Sequence, residues 1–378
     1  MKPMIYMDNA ATTMPLPSVV EAMLPYYKER FYNPSANYDV AYDVNDILQN
    51  CRKTIADTIG CKPNEIYFTS GGSESDNWAL RYVKPGQHII TSKIEHHAIL
   101  NTCKYLEAKG VEVTYIDVDK YGTVNLEDIE KSIRPNTSLI SIMTANNEIG
   151  TIQPILDISK IASAYNIVFH TDAVQAYGHK DIDVNYLGID MLSASAHKFN
   201  GPKGVGFLYV DNAINLKPFI FGGMQQNNMR AGTENVPGIV GMAKAAEVSC
   251  DLDNIYYNVI ISELRDYLQS KIMIEIPNII INGNISNRLA NNLNVSFIGV
   301  RGEQLLSQLA MNGIYASTGS ACNAFSPEPS HVLKAIGLSD EDASSSIRFT
   351  LSKDNSIEDI NYVVEVLKRS VNDLRRIG

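Results

Sequence analysis

Residues 189–206 read Ile189-Asp-Met-Leu-Ser-Ala-Ser-Ala-His-Lys-Phe-Asn-Gly-Pro-Lys-Gly-Val-Gly206. A short apolar strand runs into small and hydroxyl residues, then into a His-Lys pair, and then through a Gly/Pro turn into a second apolar strand. Lys198 is therefore expected at a strand end, where partial desolvation lets an amine lose its proton and act as a Schiff-base nucleophile. The alternative is a solvated lysine in a β-turn, which is the commoner fate of a lysine.

Strands and helices alternate around this stretch. Apolar strands are expected at 65–70, 88–92, 111–118, 138–145, 167–173, 189–194 and 205–210, with helical segments at about 97–109, 126–133 and 154–166. This alternation predicts an α/β fold with a mostly parallel sheet covered by helices on both faces. Ligands of such sheets bind beyond the carboxyl ends of the strands. Two further helical segments, 16–30 and 40–60, are expected ahead of the sheet, the second ending at Gly60.

The pattern changes after residue 237. A long helical stretch is expected over about 238–272, followed by a strand near 292–297, a helix after Gly302, a strand at 346–351 and a closing helix from about 357. These sparser elements predict a smaller α+β domain. We expect a large domain over 15–250 and a small domain formed by 1–14 and 251–378.

Composition limits the class of protein. The chain of 378 residues is 45% hydrophobic and 20% charged, as in ordinary globular proteins, and its formal net charge is -10. This charge argues against binding of nucleic acid or of anionic membrane surfaces. No apolar run approaches bilayer length and the N-terminus does not resemble a signal peptide, so a cytoplasmic protein is expected.

The five cysteines are odd in number, scattered, and without a C-x-x-C pair, which argues against a disulfide framework or a zinc knuckle. Cys51, Cys61, Cys103 and Cys250 lie in apolar or helical contexts and are predicted to be small core residues. Cys322 instead lies in a stretch rich in Gly, Ser and Pro, which predicts an exposed loop and suggests a chemical role for the thiol.

Three groups at strand ends suggest one cofactor. Gly71-Gly-Ser-Glu-Ser75 lies at a strand-to-helix junction, where backbone N–H groups and the helix dipole favour a phosphate. Asp172 ends an apolar strand and can bind a pyridinium N–H, and Lys198 can bind an aldehyde. The glycines and Asp172 could instead be helix N-caps without a ligand. Together they indicate pyridoxal phosphate.

Three other positions extend this site. His96, in Glu95-His-His97, could lie over a cofactor ring and handle protons near neutral pH. A metal site is the weaker alternative, because no H-x-x-x-H motif or Cys/His cluster accompanies the pair. Asn147 follows a strand at the same edge. Arg348 lies between apolar neighbours and suits a substrate carboxylate, with a buried ion pair as the alternative.

Seven motifs occur in order: Tyr6-Met-Asp-Asn-Ala-Ala-Thr-Thr13, Thr69-Ser-Gly-Gly-Ser-Glu-Ser-Asp-Asn77, Asn146-Asn-Glu-Ile-Gly150, His170-Thr-Asp-Ala-Val-Gln175, Ser195-Ala-His-Lys198, Arg230-Ala-Gly-Thr-Glu-Asn235 and Ser317-Thr-Gly-Ser-Ala-Cys322. With them the chain resembles, almost from end to end, the cysteine desulfurases of the NifS/IscS type, which are pyridoxal-phosphate enzymes of the class V aminotransferase group. The long loop around Cys322 is similar to that of the long-loop members.

The resemblance implies a fold-type I pyridoxal-phosphate transferase, with a mostly parallel seven-stranded sheet in the large domain. It also implies the residues around the cofactor ring: Lys198 bonded to the cofactor, Asp172 at the ring nitrogen, His96 stacked on the ring as a catalytic residue, and Gln175 at the phenolic oxygen. The phosphate would be bound by Gly72, Ser73, Ser195 and His197, and by Thr233 of the partner subunit in a homodimer with shared sites. The substrate carboxylate would be bound by Asn147 and Arg348, with Asn147 also beside the cofactor. Cys322 would take sulfur from L-cysteine as a persulfide and release L-alanine.

The implied partners are a sulfur acceptor, such as an iron–sulfur scaffold or a tRNA thiolation enzyme. No resident metal is expected, although Cys322 could ligate an iron–sulfur cluster transiently. Selenocysteine lyases and aminotransferases share the fold and the cofactor groups, but an aminotransferase has no use for Cys322.

One loop departs from the family pattern Gly-Gly-x-Gln-Glu-x-Gly-x-Arg, since this chain reads Gly222-Gly-Met-Gln-Gln-Asn-Asn-Met-Arg230. Asn228 can adopt a left-handed conformation as glycine does, so the turn is expected to survive. Gln226 replaces a glutamate, so different contacts are expected there.

Overall fold

The computed structural model describes residues 4–318 and 329–377. Its strands are β1 Ile5–Tyr6, β2 Ile66–Thr69, β3 His88–Ser92, β4 Glu112–Ile116, β5 Thr137–Ser141, β6 Val168–Asp172, β7 Met191–Ser195, β8 Gly206–Val210, β9 Ile279–Asn282, β10 Asn292–Phe297, β11 Ile314–Tyr315 and β12 Ser346–Thr350. Its α-helices are α1 Pro17–Met23, α2 Pro25–Lys28, α3 Asp39–Ile59, α4 Gly72–Leu80, α5 His97–Glu107, α6 Leu126–Lys131, α7 Ile155–Ala164, α8 Val184–Leu187, α9 Val236–Ser249, α10 Leu252–Glu275, α11 Gly302–Met311, α12 His331–Ala335, α13 Asp340–Ser344 and α14 Ile357–Ile377.

A seven-stranded sheet forms the centre of the larger part, in the order β2-β8-β7-β6-β5-β3-β4. The strands from β4 to β7 in this order run parallel, whereas β8 is antiparallel to both of its neighbours, β7 and β2. The predicted fold class is confirmed. Because β2, β3, β5, β6 and β7 point the same way, their carboxyl ends meet at one edge of the sheet.

Side chains alternate between the two faces of the sheet along each strand, and both faces carry apolar residues that helices cover. In β5, β6 and β7, one of two adjacent residues packs into the core on one face and the next packs into the core on the other. The pairs are Leu139/Ile140, Val168/Phe169 and Met191/Leu192. Strands buried on both faces therefore read as continuous apolar runs, which is why they were predictable.

A second core lies around the antiparallel sheet β12-β10-β9. Ile5 and Met7 pack into this core, although they are far away in sequence, because β1 pairs with β11. The division into a large domain and a small domain that includes residues 1–14 stays a proposal, and the grouping of Ile5 and Met7 with this second core supports it.

Two helix predictions were wrong in their bounds. The expected helix over 238–272 is two helices, α9 and α10, separated at Cys250 and Asp251. Ser249, Cys250 and Asp251 are weak helix formers, and the Ser249 hydroxyl donates a hydrogen bond to the Phe199 carbonyl, 3.1 Å away. The expected helix over 16–30 is likewise divided, because Pro25 begins a new helix and cannot continue the previous one.

The cysteine prediction holds in part. Cys51 and Cys103 are buried and Cys61 is half-buried, whereas Cys250 is exposed at the end of α9 and is not a core residue. Within the described ranges, no helix has both the length and the apolar character needed to cross a membrane.

Candidate active site

Lys198 lies directly after β7, in the single turn Ala196–Lys198. Its Nζ donates hydrogen bonds to the carbonyl oxygens of Ala10, at 2.6 Å, and Ala11, at 2.9 Å. Gln175 Nε2 donates to the same Ala10 carbonyl, at 3.0 Å. The N-terminal segment thus brings two predicted site residues together, and Lys198 is not a solvated surface lysine.

Asp172 is the last residue of β6 and is buried. Burial raises the pKa of its carboxyl to about 6, opposed by the Val174 N–H, which donates to Oδ1 at 2.9 Å, and by the charge of Lys198. The nearby ammonium and N–H therefore favour an ionised Asp172 at neutral pH, as a partner of a protonated ring nitrogen requires.

A second buried acid, Asp76, lies near Asp172 and was not singled out from the sequence. Burial and the charge of Asp172 raise the pKa of Asp76 well above its ordinary value. Its Oδ1 lies 3.8 Å from His170 Nε2 and accepts no hydrogen bond among the described residues. Burial also lowers the pKa of His170 to about 3, so the imidazole is neutral. Burial and the neighbouring charge thus favour a proton on Asp76 over one on Asp172.

His96 caps the N-terminus of α5, where its Nδ1 accepts a hydrogen bond from the Ala98 N–H at 3.1 Å. Burial and the charge of Lys198 lower the pKa of His96 to about 4. The imidazole is therefore neutral near pH 7, and its proton is on Nε2, since Nδ1 acts as the acceptor.

The predicted phosphate cradle is closely packed. A Cβ added to Gly72, the first residue of α4, would lie 2.6 Å from Val174 Cγ2, and one added to Gly71 would lie 3.4 Å from Ser195 Oγ. Ser73 is exposed on the first turn of the same helix. His197 Nδ1 lies 3.2 Å from Thr12 Oγ1. The two glycines, Ser195 and the start of α4 are thus adjacent, and only glycine leaves room at residue 72.

Arg348 and Asn147 form a second group. Arg348 Nη1 donates to the Asn147 carbonyl at 2.9 Å, and Nη2 pairs with Asp8 Oδ1 at 2.8 Å. Arg348 Nε is buried and has no partner among the described residues. The ion pair expected as an alternative is therefore present, and it joins Arg348 to the N-terminal segment that contains Ala10.

Thr233 is exposed on the loop that follows Arg230. Glu74, on α4, holds this loop through two hydrogen bonds from Arg230, at 2.9 and 3.1 Å. Thr233 and Ser70 line a cavity of about 170 Å³ beside the loop.

Gln226, which departs from the family pattern, makes the buried contacts of this loop. Gln226 is buried, and its Oε1 accepts hydrogen bonds from Arg52 Nη2 and from the Phe68 N–H, both at 3.0 Å. Asn228 has a φ of 64°, which confirms the expected left-handed turn. The amide thus serves as a neutral acceptor for a buried guanidinium.

We expect Gln226→Leu to lower the free energy of unfolding by about 1–3 kcal/mol, because Arg52 and the Phe68 N–H lose a buried acceptor. Gln226→Glu keeps the acceptor and is expected to cost less. Urea unfolding of the two variants measures the difference, and equal stabilities would contradict the role of Gln226 as an acceptor.

Glu95 gives the protein a pH dependence of stability. Burial raises the pKa of its carboxyl to about 8, opposed by hydrogen bonds from Ser92 and the Met143 N–H. The folded state keeps a proton that the unfolded chain releases above pH 4.5, so the contribution of Glu95 to stability is lost as the pH rises from about 4.5 towards 8.

We therefore expect Glu95→Gln to flatten the pH dependence of the unfolding free energy between pH 5 and 8, by up to about 1.4 kcal/mol per pH unit. His96 and His170 act in the opposite direction, losing stability below pH 6.5, and they do so in both proteins. Chemical unfolding at several pH values isolates the difference, and parallel profiles would show that Glu95 is ionised in the folded state.

Cys322 lies outside the described residues. Among residues 4–318 and 329–377, no three His, Cys, Asp or Glu side chains are grouped as metal ligands. The role of the Ala10 and Ala11 carbonyls could not be predicted from the sequence, because a main-chain acceptor has no side-chain signature.

The aminotransferase class-V family profile matches residues 5–363, so the chain belongs to the class-V aminotransferase family. A cysteine desulfurase IscS of Methanosarcina thermophila is 51% identical over 99% of this chain and 93% of that protein. A cysteine desulfurase IscS of Dictyoglomus turgidum is 50% identical over 100% of this chain and 97% of that protein. Within the family, the chain therefore belongs to the cysteine desulfurases of the IscS type.

Solved structures agree with this assignment. A NifS-like protein superimposes with a TM-score of 0.92 at 38% identity, over 99% of this chain and 100% of that one. The structure described as SspA in complex with cysteine superimposes with a TM-score of 0.82 at 40% identity, over 93% of this chain and 99% of that one.

Proposed function

We propose that this chain is a pyridoxal-phosphate-dependent cysteine desulfurase, which converts L-cysteine to L-alanine and passes the sulfur to Cys322 as a persulfide. The observation that carries the proposal is the junction at Ala10, where Lys198 and Gln175 share one carbonyl oxygen. Lys198 also lies close enough to Asp172 to lower the pKa of its carboxyl. The amine of Lys198, the buried carboxylate of Asp172 and the amide of Gln175 thus lie together at the edge of the sheet where β6 and β7 end. The relatives of this chain are cysteine desulfurases.

The residues present fit pyridoxal phosphate. Asp172 would hold the ring nitrogen, Gln175 the phenolic oxygen, and the glycine turn with Ser73, Ser195 and His197 the phosphate, while His96 would lie against the ring. Close packing against Val174 requires glycine at residue 72, at the start of α4, where the N–H groups of a helix N-terminus favour an anion. When bound, the cofactor would supply an electron sink for bond cleavage in the amino acid substrate.

The protein groups then have separate tasks. The Val174 N–H and the charge of Lys198 favour the ionised form of Asp172, which could then hold a proton on the ring nitrogen. Lys198 would hold the aldehyde group of the cofactor and would move protons at the substrate. His96 stays neutral and can donate from Nε2, and Arg348 and Asn147 would bind the substrate carboxylate.

Sulfur transfer balances without an external oxidant. The Cys322 thiolate attacks the sulfur of L-cysteine, so that a sulfur–sulfur bond forms as the carbon–sulfur bond breaks. The bonding electron pair stays with carbon, which takes up a proton and becomes the methyl group of L-alanine. A reductant or an acceptor protein later removes the sulfur from Cys322.

We further propose a homodimer in which Thr233 reaches the phosphate site of the partner subunit. Its exposure, the 170 Å³ cavity beside it and the neighbouring exposed side chains of Phe221 and Met224 support this arrangement. In the cytoplasm, the sulfur acceptor would be an iron–sulfur scaffold protein or a tRNA thiolation enzyme.

The test is product analysis with the cofactor-reconstituted enzyme. In the presence of dithiothreitol, L-cysteine is expected to give L-alanine and sulfide in equal amounts. Transfer of the amino group to a 2-oxo acid without sulfide would instead identify an aminotransferase. Cleavage of L-selenocysteine but not of L-cysteine would identify a selenocysteine lyase.

A further inference from the structure

Both flanks of the segment that contains Cys322 are bonded to one buried cluster. On the N-terminal side, Ser317 pairs with Arg348 through two backbone hydrogen bonds, of 3.2 and 2.6 Å. On the C-terminal side, the Ser330 hydroxyl donates to Glu148 Oε2 at 2.5 Å. The flanks are therefore fixed to the two residues that contact or adjoin Asn147.

Glu148 is 4% exposed and its backbone is fixed in place. Its N–H donates to Asn146 Oδ1 at 2.8 Å, and its carbonyl accepts from Asn294 Nδ2 at 3.1 Å. The neighbouring Asn147 carbonyl accepts from Arg348 Nη1. The backbone of Glu148 is therefore held beside the groups proposed to bind the substrate carboxylate, and its side chain is left to bind Ser330.

Ser330 has a second task, since its Oγ also accepts a hydrogen bond from the Leu333 N–H and so caps α12. The next residue, His331, makes a hydrogen bond of 3.0 Å from Nε2 to the Glu95 carbonyl, next to His96 in sequence. The C-terminal flank is thus bonded to two parts of the candidate site, to Glu148 beside Asn147 and to Glu95 beside His96.

We infer that Glu148 and Ser330 are a positioning pair for sulfur transfer, because their hydrogen bond holds Ser330, which follows Cys322 in the chain, beside the groups proposed to bind the substrate carboxylate. This inference rests on the proposed function. It assigns a role in sulfur transfer to a buried carboxylate that the proposed chemistry does not otherwise use.

Ser330→Ala tests the pair in the cofactor-loaded enzyme. We expect single-turnover formation of the Cys322 persulfide to slow about tenfold, because small displacements of a reacting group are costly, while the KM for L-cysteine changes less than about twofold. Iodoacetamide labelling of Cys322, followed by mass spectrometry, is expected to become faster, since the segment has lost one anchor.

Three further variants separate positioning from general structural damage. Ser339→Ala removes a similar serine cap, from α13, whose hydroxyl also bonds a carboxylate, that of Asp342. It is expected to leave persulfide formation and labelling unchanged. Glu148→Gln keeps an acceptor for Ser330 and should retain most of the transfer rate, whereas Glu148→Ala should behave like Ser330→Ala.

Unchanged persulfide formation and labelling in a folded Ser330→Ala protein would overturn the inference, as would equal slowing by Ser339→Ala. If the wild type releases no alanine from L-cysteine, the proposed function fails. The labelling comparison still decides then whether Ser330 anchors the segment, because it requires no turnover.

Discussion

Replacing Lys198 by alanine is expected to lower alanine release from L-cysteine by roughly a thousandfold or more, because the variant lacks the amine that we propose binds the cofactor and moves protons at the substrate. The loss also removes the positive charge that favours ionised Asp172. We therefore expect weaker cofactor retention, measured by absorbance of the protein after gel filtration.

Lys198→Arg separates these two effects. Arginine keeps a positive charge near Asp172 but remains protonated, so it cannot serve as a nucleophilic amine. If the amine is what matters, both variants are inactive, and Lys198→Arg alone retains the cofactor better. Lys160, an exposed lysine on α7, provides the matched control, and Lys160→Ala is expected to keep full activity. An active Lys198→Arg enzyme would show that the reaction requires only the positive charge of residue 198 and not its amine.

The second large effect is expected at Cys322. Cys322→Ser should abolish the release of both alanine and sulfide, with a loss of about a thousandfold or more, because a hydroxyl at neutral pH is a far weaker sulfur nucleophile than a thiolate. The cofactor should remain bound, since none of the groups proposed to hold it has changed.

Cys61→Ser is the control for this experiment. Cys61 is half-buried, and its thiol donates to the Lys62 carbonyl, so serine can preserve the contact. Full activity of Cys61→Ser beside an inactive Cys322→Ser would identify the sulfur carrier. Release of alanine at the wild-type rate by Cys322→Ser would instead mean that sulfur leaves the substrate without this thiol.

The sequence predicted the sheet and the residues at its strand ends because both depend on local patterns. A parallel strand buried on both faces must be an apolar run, and the polar residue that ends it, such as Asp172, stands out. The left-handed turn at Asn228 was predictable for the same reason, since few residues adopt that conformation.

Contacts between distant segments could not be predicted in this way. Asp76 occupies an ordinary helical position in the sequence, and only the fold brings it near Asp172 and His170. The exposure of Cys250 depends on a helix break that no glycine or proline marks. The roles of individual site residues, Cys322 above all, stay predictions that the variants described above would test.

The hydrogen bonds of the N-terminal segment also determine when the site can form during synthesis. Lys198 needs the carbonyl of Ala10, and Asn9 in turn bonds the carbonyl of Thr350, at 2.8 Å. These contacts join residues separated by 188 and 341 positions. Contacts between such distant residues form late. The segment that contains Asn9 and Ala10 must therefore wait for β12, so the contacts around Lys198 are completed only after β12 has been made.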